Sequence, residues 1–189
     1  RGHDVTVYDR NDRIGGMYRI AAIPPWKGEI IDFIRWQATQ MEKLGVKVVL
    51  NTDGTKDMIA NMKPDAVVVA TGYHQFVPPF PGKDRDFVIA SNDVLDGKAD
   101  VQGKIAVIGG GLVGAETANY LATHNDDVTI IEMLPEIAGE EPGSMRKFLM
   151  ESYEEHHVDI HVNTAVQTIN EDKTITVKVG GERKLLGPF

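Results

Sequence analysis

Apolar and polar positions along the chain follow two kinds of pattern, and these patterns occur twice in the same order. In each half a short β-branched run ends in a carboxylate, DVTVYD at residues 4–9 and DVTIIE at residues 127–132. A second run follows in each half, GVKVVLNT at residues 45–52 and HVDIHVNT at residues 157–164. These runs predict strands, and their repeated order indicates an internal repeat.

Between the paired runs, apolar positions recur every three or four residues, as on one face of a helix. They are Ile30, Ile34, Ala38, Met41 and Leu44 in the first half and Met145, Phe148, Leu149 and Tyr153 in the second. Each half therefore predicts a strand, a crossover helix and a second strand. We expect an α/β fold, with Rossmann-like, three-layer parallel sheets and helices on both faces.

Two further segments extend this pattern. PDAVVVATG, at residues 64–72, predicts a buried strand that closes the first half. Alternating residues at 166–186 carry turn signals at 170–173 and at 180–181, which predict a small antiparallel β-meander in the second half.

The connection at residues 73–104 is rich in proline and then polar, so we predict a domain boundary there. The first domain is assigned to residues 1–97, with a linker from about residue 73, and the second to residues 98–189. The first half lacks the strand and glycine turn that open the second, and the second lacks a counterpart of residues 64–72. We expect the chain to be a piece of a longer polypeptide.

The stretch IAVIGGGLVGAE, at residues 105–116, is the strongest functional signal. Its glycines Gly109, Gly111 and Gly114 match G-x-G-x-x-G between a predicted strand and a predicted helix. In this motif the glycines allow a tight turn, close approach of the backbone to a pyrophosphate and close packing of helix on sheet. The helix is expected to place Val113, Thr117, Ala118 and Leu121 on one face.

Glu132 follows Gly114 by eighteen residues, at the end of the next predicted strand. A carboxylate there accepts hydrogen bonds from the adenosine ribose hydroxyls. No basic residue follows it before Arg146, so we favour NADH over NADPH. The alternative is a purely structural glycine turn with Glu132 as a solvated strand end.

Asp9 occupies the position in the first half that Glu132 occupies in the second, a carboxylate at the end of a predicted strand. It therefore predicts a second adenine nucleotide there. Gly15 and Gly16, and likewise Thr71 and Gly72, could bring backbone close to its phosphates. Each of these pairs has an alternative as an ordinary turn.

The composition and charge of the chain restrict the kinds of partner that it can bind. The formal charge of −8 disfavours nucleic acid and anionic lipid, and no segment has the length of a membrane span or the layout of a signal peptide. We expect a soluble, cytoplasmic protein. With no cysteine among the 189 residues, disulfide chemistry and cysteine-ligated clusters are excluded for this chain, so redox chemistry would belong to an organic cofactor.

The motifs DRIGG, PDAVVVATGY and GKIAVIGGGLVGAETANYLA together resemble the two-dinucleotide-binding flavoproteins, which are pyridine nucleotide-disulfide oxidoreductase-like. More narrowly, residues 9–52 resemble the C-terminal FAD/NAD(P)H part of 2-enoate reductases and 2,4-dienoyl-CoA reductases, NADH:flavin oxidoreductases of the old yellow enzyme family. The resemblance covers essentially the whole chain. Where disulfide reductases of the superfamily carry a redox cysteine pair, this chain has GGMYRIAAIP, which excludes that activity.

The resemblance implies that the first domain is a partial FAD-binding domain and the second an NAD(H)-binding one. It implies FAD contacts at Asp9, Arg10, Gly15, Gly16, Thr71 and Gly72. It implies NADH contacts at Gly109, Gly111, Leu112, Val113, Gly114 and Glu132, with Glu116 near the nicotinamide. An FMN barrel and a 4Fe-4S domain would lie elsewhere in the polypeptide.

The resemblance thus implies an electron-entry module that takes hydride from NADH onto FAD, in an oxidoreductase that reduces activated C=C bonds. We expect the isolated chain to be inactive. Two alternatives stay open: a nucleotide-binding regulatory or structural module without turnover, and a free-standing NADH-dependent reductase of a small redox protein.

Three other features are given structural interpretations. His157, Asp159 and His161 could share one face of a strand, but a partly solvated edge is favoured over a metal site. Trp26 and Trp36 are interpreted as packing residues or a docking surface for absent domains, and the acidic segment at 136–144 as a solvated loop.

Overall fold

The computed structural model describes residues 2–124 and 127–189. The chain divides into two compact units, Arg1–His74 and Gln75–Phe189, and each is described by itself. The division lies earlier than residue 97, since a short helix at Ser91–Leu95 buries Val94 and Leu95 within the second unit. The assignment of residues 1–97 and 98–189 as functional domains stays a prediction.

The first unit contains the predicted strand, crossover helix and second strand. Its elements are β1 (Thr6–Tyr8), α1 (Gly16–Ala21), α2 (Glu29–Lys43), β2 (Lys47–Val49) and α3 (Lys56–Met62). β1 and β2 are parallel, with Val7 opposite Val48. The predicted parallel pairing is confirmed.

α2 is only partly covered. Ile34 is buried, whereas Ala38 and Leu44 of the predicted apolar face are exposed. The reason is geometric: a helix of 15 residues is about 22 Å long, and strands of three residues cover only about 10 Å.

No helix in the part of the chain that the structure describes is long and apolar enough to cross a membrane.

The predicted buried strand at residues 64–72 is wrong. These residues belong to no sheet, and Val67, Val68 and Val69 are 55%, 89% and 80% exposed. A parallel strand needs hydrogen bonds to a neighbour, and among residues 2–124 and 127–189 no strand pairs with this segment. The apolar run alone therefore did not determine burial.

The second unit holds two sheets. Its elements are α4 (Ser91–Leu95), β3 (Ile105–Ile108), α5 (Leu112–Ala122), β4 (Val128–Ile131), α6 (Gly143–Glu155), β5 (Asp159–His161), β6 (Thr164–Ile169), β7 (Ile175–Val179) and β8 (Glu182–Leu186). Strands β3, β4 and β5 form a parallel sheet in that order, and β6, β7 and β8 an antiparallel meander. The α/β, Rossmann-like fold and the meander are confirmed.

Alternate residues of the parallel sheet enter two cores. Val107 and Ile130 pack with residues of α5 and α6, whereas Ile131 packs with Ile175 and Val177 of the meander. All four residues of β4 are buried, because β4 lies between two strands and between two layers. This unit is thus a three-layer structure of helices, parallel sheet and meander, so the meander covers the face where a second layer of helices was predicted.

Three predicted core positions of the second unit are exposed. Met145 and Phe148 of α6 are 45% and 57% exposed, and Val113 of α5 is 47% exposed. Each precedes the first buried residue of its helix, which is Leu149 in α6 and Ala115 in α5. The other predicted positions of these two helices are buried: Leu149 and Tyr153 in α6, and Thr117, Ala118 and Leu121 in α5.

Both tryptophans lie on the surface of the first unit, so the interpretation as buried packing residues is wrong. Trp26 and Trp36 are 64% and 57% exposed. Trp36 stacks on Phe33 with ring centroids 5.8 Å apart, and Phe33 in turn contacts Tyr18 at 6.3 Å. The docking role suggested for these residues stays a prediction.

Candidate nucleotide site

The turn between β3 and α5 is built from three consecutive glycines. Gly109 has φ 96°, a conformation that L side chains rarely adopt, and its N–H donates to the carbonyl of Ile131 at 2.9 Å. Gly111 is the N-cap of α5, and its carbonyl accepts from the N–H of Ala115 at 2.8 Å. The strand therefore runs directly into the helix.

The glycines of this turn differ in the space around them. A Cβ atom placed on Gly109 or Gly111 would meet nothing within 4 Å. One placed on Gly114 would overlap the carbonyl of Gly109. Gly114 thus lets the helix pack against the turn, and the other two leave open space beside the backbone.

The N-terminus of α5 faces this turn. The N–H groups in the first turn of a helix have no acceptor within the helix, and Gly111 has no side chain that could cap them. The helix dipole adds partial positive charge at this end. The backbone of Leu112 and Val113 can therefore donate to a phosphate.

Glu132, directly after β4, is joined to the glycine turn. Its Oε2 accepts from the N–H of Gly110 at 2.5 Å, and its Oε1 accepts from the N–H of Leu134 at 2.7 Å. The residue is only 6% exposed, so it is not a solvated strand end. Each carboxylate oxygen keeps a second lone pair, which leaves acceptor capacity for a hydroxyl group.

The loop at residues 133–142 lies against the turn, and the expectation of a solvated loop is wrong for its middle. Ile137 and Ala138 are 2% and 1% exposed, and the N–H of Ala138 donates to the carbonyl of Gly110 at 2.8 Å. The sequence signal for this burial was the apolar pair Ile137 and Ala138 within an acidic segment. The net charge of the segment predicted exposure instead.

Arg146, the fourth residue of α6, contacts the same loop. Its Nε donates to the carbonyl of Ile137 at 2.9 Å, and its Nη2 lies 3.6 Å from Oε2 of Glu136. The guanidinium therefore bridges two loop residues. Sequence reasoning treated Arg146 only as the first basic residue after Glu132.

Glu116 lies half-buried in α5, beside the contact between α5 and α6. On that contact the hydroxyl of Tyr153 donates to the carbonyl of Ala115 at 2.6 Å. Burial raises the pKa of Tyr153 above its ordinary value, and the charge of Glu116 raises it further. Glu116 is thus electrostatically coupled to α6, and its suggested place near a nicotinamide stays a prediction.

In the first unit, Asp9 and Arg10 lie directly after β1. Oδ1 of Asp9 accepts from the backbone N–H of Asn11 at 2.9 Å and from its Nδ2 at 2.8 Å. The carbonyl of Asp9 accepts from the N–H of Thr52, and Nη2 of Arg10 lies 3.9 Å from Oδ1 of Asp53. The end of β1 is therefore tied to the segment that follows β2.

The three glycines predicted as contacts in the first unit have different surroundings. Gly15, with φ 108°, is the N-cap of α1, and a Cβ on it would lie 2.9 Å from Cδ1 of Ile34. Gly16 and Gly72 have open space where a Cβ would be. Thr71 and Gly72 follow the exposed valine run rather than a strand.

The histidine-containing edge strand holds a pair of side chains. Nε2 of His161 lies 2.8 Å from Oδ2 of Asp159. Within residues 2–124 and 127–189, no three His, Asp or Glu side chains are grouped so as to hold a metal ion.

The sequence profile of the pyridine nucleotide-disulphide oxidoreductases matches residues 27–187. The chain belongs to this family. It is a family of NAD(H)-dependent flavin oxidoreductases, and the match spans both units, including the glycine turn and Glu132.

Two reductases are among the curated proteins that this chain resembles. Bilirubin reductase of Mediterraneibacter gnavus is 37% identical over 169 residues, which are 89% of this chain and 26% of that protein. Cinnamate reductase of Clostridium sporogenes is 35% identical over 137 residues, 72% of this chain and 20% of that protein.

A solved structure of a 2-naphthoyl-CoA reductase in complex with 2-naphthoyl-CoA has the same fold. It superposes with a TM-score of 0.91 at 30% identity, over 98% of this chain and 28% of that one. The chain therefore spans about a quarter of the length of the relatives that it matches.

Proposed function

We propose that the chain is the NADH-to-flavin electron-entry module of a larger flavin oxidoreductase that reduces activated C=C bonds. The observation that carries the proposal is the buried carboxylate of Glu132, held at the glycine turn of a pyridine nucleotide-disulphide oxidoreductase domain. The substrate class is supported by the names of the relatives, which are a bilirubin reductase, a cinnamate reductase and a 2-naphthoyl-CoA reductase.

The residues around the turn suit a dinucleotide. Open space beside Gly109 and Gly111 admits a pyrophosphate, and the first-turn N–H groups of α5 are donors for its oxygens. We propose Glu132 as the acceptor for the hydroxyl groups of the adenosine ribose. We propose contacts to NADH at Gly109, Gly111, Leu112, Val113, Gly114 and Glu132, with Glu116 nearer the nicotinamide.

The bound nucleotide supplies a hydride, and this chain supplies orientation and charge. A 2′-phosphate at the ribose would face the carboxylate of Glu132, and a second carboxylate, Glu136, follows four residues later in the chain. Arg146, the nearest basic residue along the chain, already contacts Glu136 and the carbonyl of Ile137. We therefore propose NADH as the preferred nucleotide.

FAD is proposed at the first unit, with contacts at Asp9, Arg10, Gly15, Gly16, Thr71 and Gly72. The hydrogen-bonded Asp9 and the open space at Gly16 and Gly72 suit such contacts, whereas Gly15 is packed against Ile34. The chain contains no glycine turn ahead of Asp9 that would hold the flavin pyrophosphate, so we expect weak FAD binding by these 189 residues.

From the resemblance to 2-enoate reductases, FMN and a 4Fe-4S cluster are proposed for further domains of a longer polypeptide; the 189 residues contain no cysteine that could ligate iron. Those domains are the proposed protein partners, and neither nucleic acid nor membrane is proposed. The cytoplasmic location expected from the sequence stays a prediction.

Two measurements test the proposal. Titration of the chain with NADH and NADPH in a calorimeter should give binding that favours NADH, and Glu132→Gln should weaken it. With the full polypeptide under anaerobic conditions, NADH should bleach the flavin absorbance. Tight NADH binding without bleaching would instead indicate a nucleotide-binding module without turnover, and rapid reduction of a small redox protein by this chain alone would indicate a free-standing reductase.

A further inference from the structure

The loop at residues 133–142, hereafter the β4–α6 loop, is attached to the glycine turn through its backbone. The N–H of Ala138 donates to the carbonyl of Gly110 at 2.8 Å, while the N–H of Gly110 donates to Glu132. The Ile137 side chain lies so close that a Cβ on Gly110 would approach its Cγ1 to 3.1 Å. The loop therefore covers one side of the turn.

This loop conformation is not favoured by its own residues. Ala138 has φ 50°, in the left-handed region that a residue with a Cβ adopts at a cost. It is also 1% exposed, which leaves it no water as an alternative partner. Contacts from outside the loop must therefore hold it in place.

Arg146 provides such contacts from α6. Its Nε bonds the carbonyl of Ile137, the residue just before Ala138, and its Nη2 pairs with Glu136. The Arg146 side chain is only 33% exposed, so these contacts are less screened than an ordinary surface ion pair. Glu136 also lies close to Gly139, where a Cβ would approach its Oε1 to 2.8 Å.

The loop, the carboxylate and the glycine turn thus form one hydrogen-bonded unit. Gly110 is the shared member, because it donates to Glu132 and accepts from Ala138. Glu132 is fixed on its other side by the N–H of Leu134, which belongs to the same loop. Any loosening of the loop would therefore reach both groups proposed to contact the nucleotide.

We propose that Arg146 is a positioning residue for nucleotide binding: it holds the β4–α6 loop against Gly110 and so preorganises the Glu132 carboxylate and the turn. The inference rests on the proposed function, because the site it organises is the proposed NADH site. Arg146 acts on the adenosine and pyrophosphate part of the ligand and does not touch the nicotinamide. It also has its charge committed to Glu136, rather than available to a 2′-phosphate.

The test compares the wild-type chain with Arg146→Gln and Arg146→Lys. We expect Arg146→Gln to raise the dissociation constant of NADH about tenfold, as the loss of hydrogen bonds from a charged donor would. The dissociation constant of ADP-ribose should rise by the same factor, measured by calorimetry. Lysine can reach only one of the two acceptors, so Arg146→Lys should give an intermediate value.

Hydrogen exchange supplies a readout that needs no ligand. The Ala138 amide should lose protection in Arg146→Gln, while amides of β4 keep theirs. The matched control is Lys147→Gln, since Lys147 is the neighbouring base and its Nζ lies 3.6 Å from Glu151 on the exposed side of α6. This control should change neither the exchange of Ala138 nor nucleotide affinity.

The outcomes separate the inference from the proposed function. If wild-type chain binds neither NADH nor ADP-ribose, the proposed function fails and the inference with it, whatever the exchange of Ala138. If wild-type chain binds both and Arg146→Gln binds them equally well, only the inference is overturned. A selective loss of NADPH binding in Arg146→Gln would also overturn it, because Arg146 would then contact a phosphate. Equal losses of protection throughout β4 in both Arg146 variants would indicate a general structural role instead.

Discussion

The two units contain the same order of strand, helix and strand but differ in how well those elements are covered. In the second unit, every residue of β4 is buried between helices on one face and a meander on the other. In the first unit, β1 and β2 form a sheet of two strands, and no residue of either strand is fully buried. A shared sequence pattern therefore determines local structure, and the number of neighbouring layers determines burial.

Two short apolar runs, one in each unit, show this difference most directly. Residues 128–131 and residues 66–69 have similar apolar content, yet Ile130 is 0% exposed and Val68 is 89% exposed. The contrast lies in the neighbours, since β4 has strands on both sides and residues 66–69 have none among the described residues. Four predictions test how far the contrast extends, in order of decreasing effect.

The largest effect is expected for core truncation. Ile130→Ala should lower the free energy of unfolding by about 3 kcal/mol, because it removes a fully buried side chain from the central strand. Val68→Ala should change it by less than about 0.5 kcal/mol. Urea unfolding followed by far-UV circular dichroism measures both, and similar losses in the two variants would show that residues 66–69 are buried after all.

The glycine turn should be nearly as sensitive. Gly114→Ala places a Cβ against the carbonyl of Gly109, so α5 must shift, at a cost of about 2 kcal/mol. The matched change in the first unit, Gly28→Ala, meets open space at negative φ and should be close to neutral. Thermal unfolding of both variants provides the comparison, and a stable Gly114→Ala chain would argue against the close approach of helix and turn.

A smaller effect is expected at the contact between α5 and α6. Tyr153→Phe removes the hydrogen bond to Ala115 and should cost about 1 kcal/mol, whereas Tyr73→Phe, at a position 59% exposed, should cost little.

The same substitution has a pH signature. Burial, and then Glu116, raise the pKa of Tyr153, so ionisation opposes folding. The stability of the wild type should therefore fall as the pH rises above the unfolded value of about 10, and Tyr153→Phe should lack that part of the fall. Identical stability profiles for the two proteins above that pH would contradict the assignment.

The smallest effect is expected in the turn between β6 and β7. The Thr174 side chain, and then its backbone N–H, donate to Asp172 and lower the pKa of that carboxyl below its ordinary value of 3.8. This contribution to stability is present above pH 3.8 and is lost as the pH falls through the lowered pKa. Asp172→Asn should flatten the acid limb slightly in a melting-temperature profile, and an unchanged acid limb would contradict the hydrogen bonds from Thr174.

Local features of this chain could be predicted from sequence. The β-branched runs predicted β1, β2, β4 and β5 because β-branched side chains favour an extended backbone locally. The turns of the meander were predictable because Asn170, Gly180 and Gly181 carry their own turn chemistry. The glycine turn was predictable for the same reason.

Features that depend on distant neighbours could not be predicted. The exposure of residues 64–72 depends on which strands lie beside them, and their own composition is that of a buried strand. The burial of Ile137 and Ala138 depends on Gly110, more than twenty-five residues away in the chain. The contacts of Arg146 follow from that loop conformation, so its role became visible only with the fold.

The hydrogen bonds of Glu132 have a consequence for protein engineers. To accommodate a 2′-phosphate at the proposed site, the direct change would replace Glu132, the acidic residue after β4, with a small or basic one. Here that carboxylate also accepts from the backbone of Gly110 and Leu134, so its removal would leave two donors without an acceptor and misshape the turn. Variant libraries should therefore keep residue 132 acidic at first and diversify Met133, which is 68% exposed and next to it in the chain.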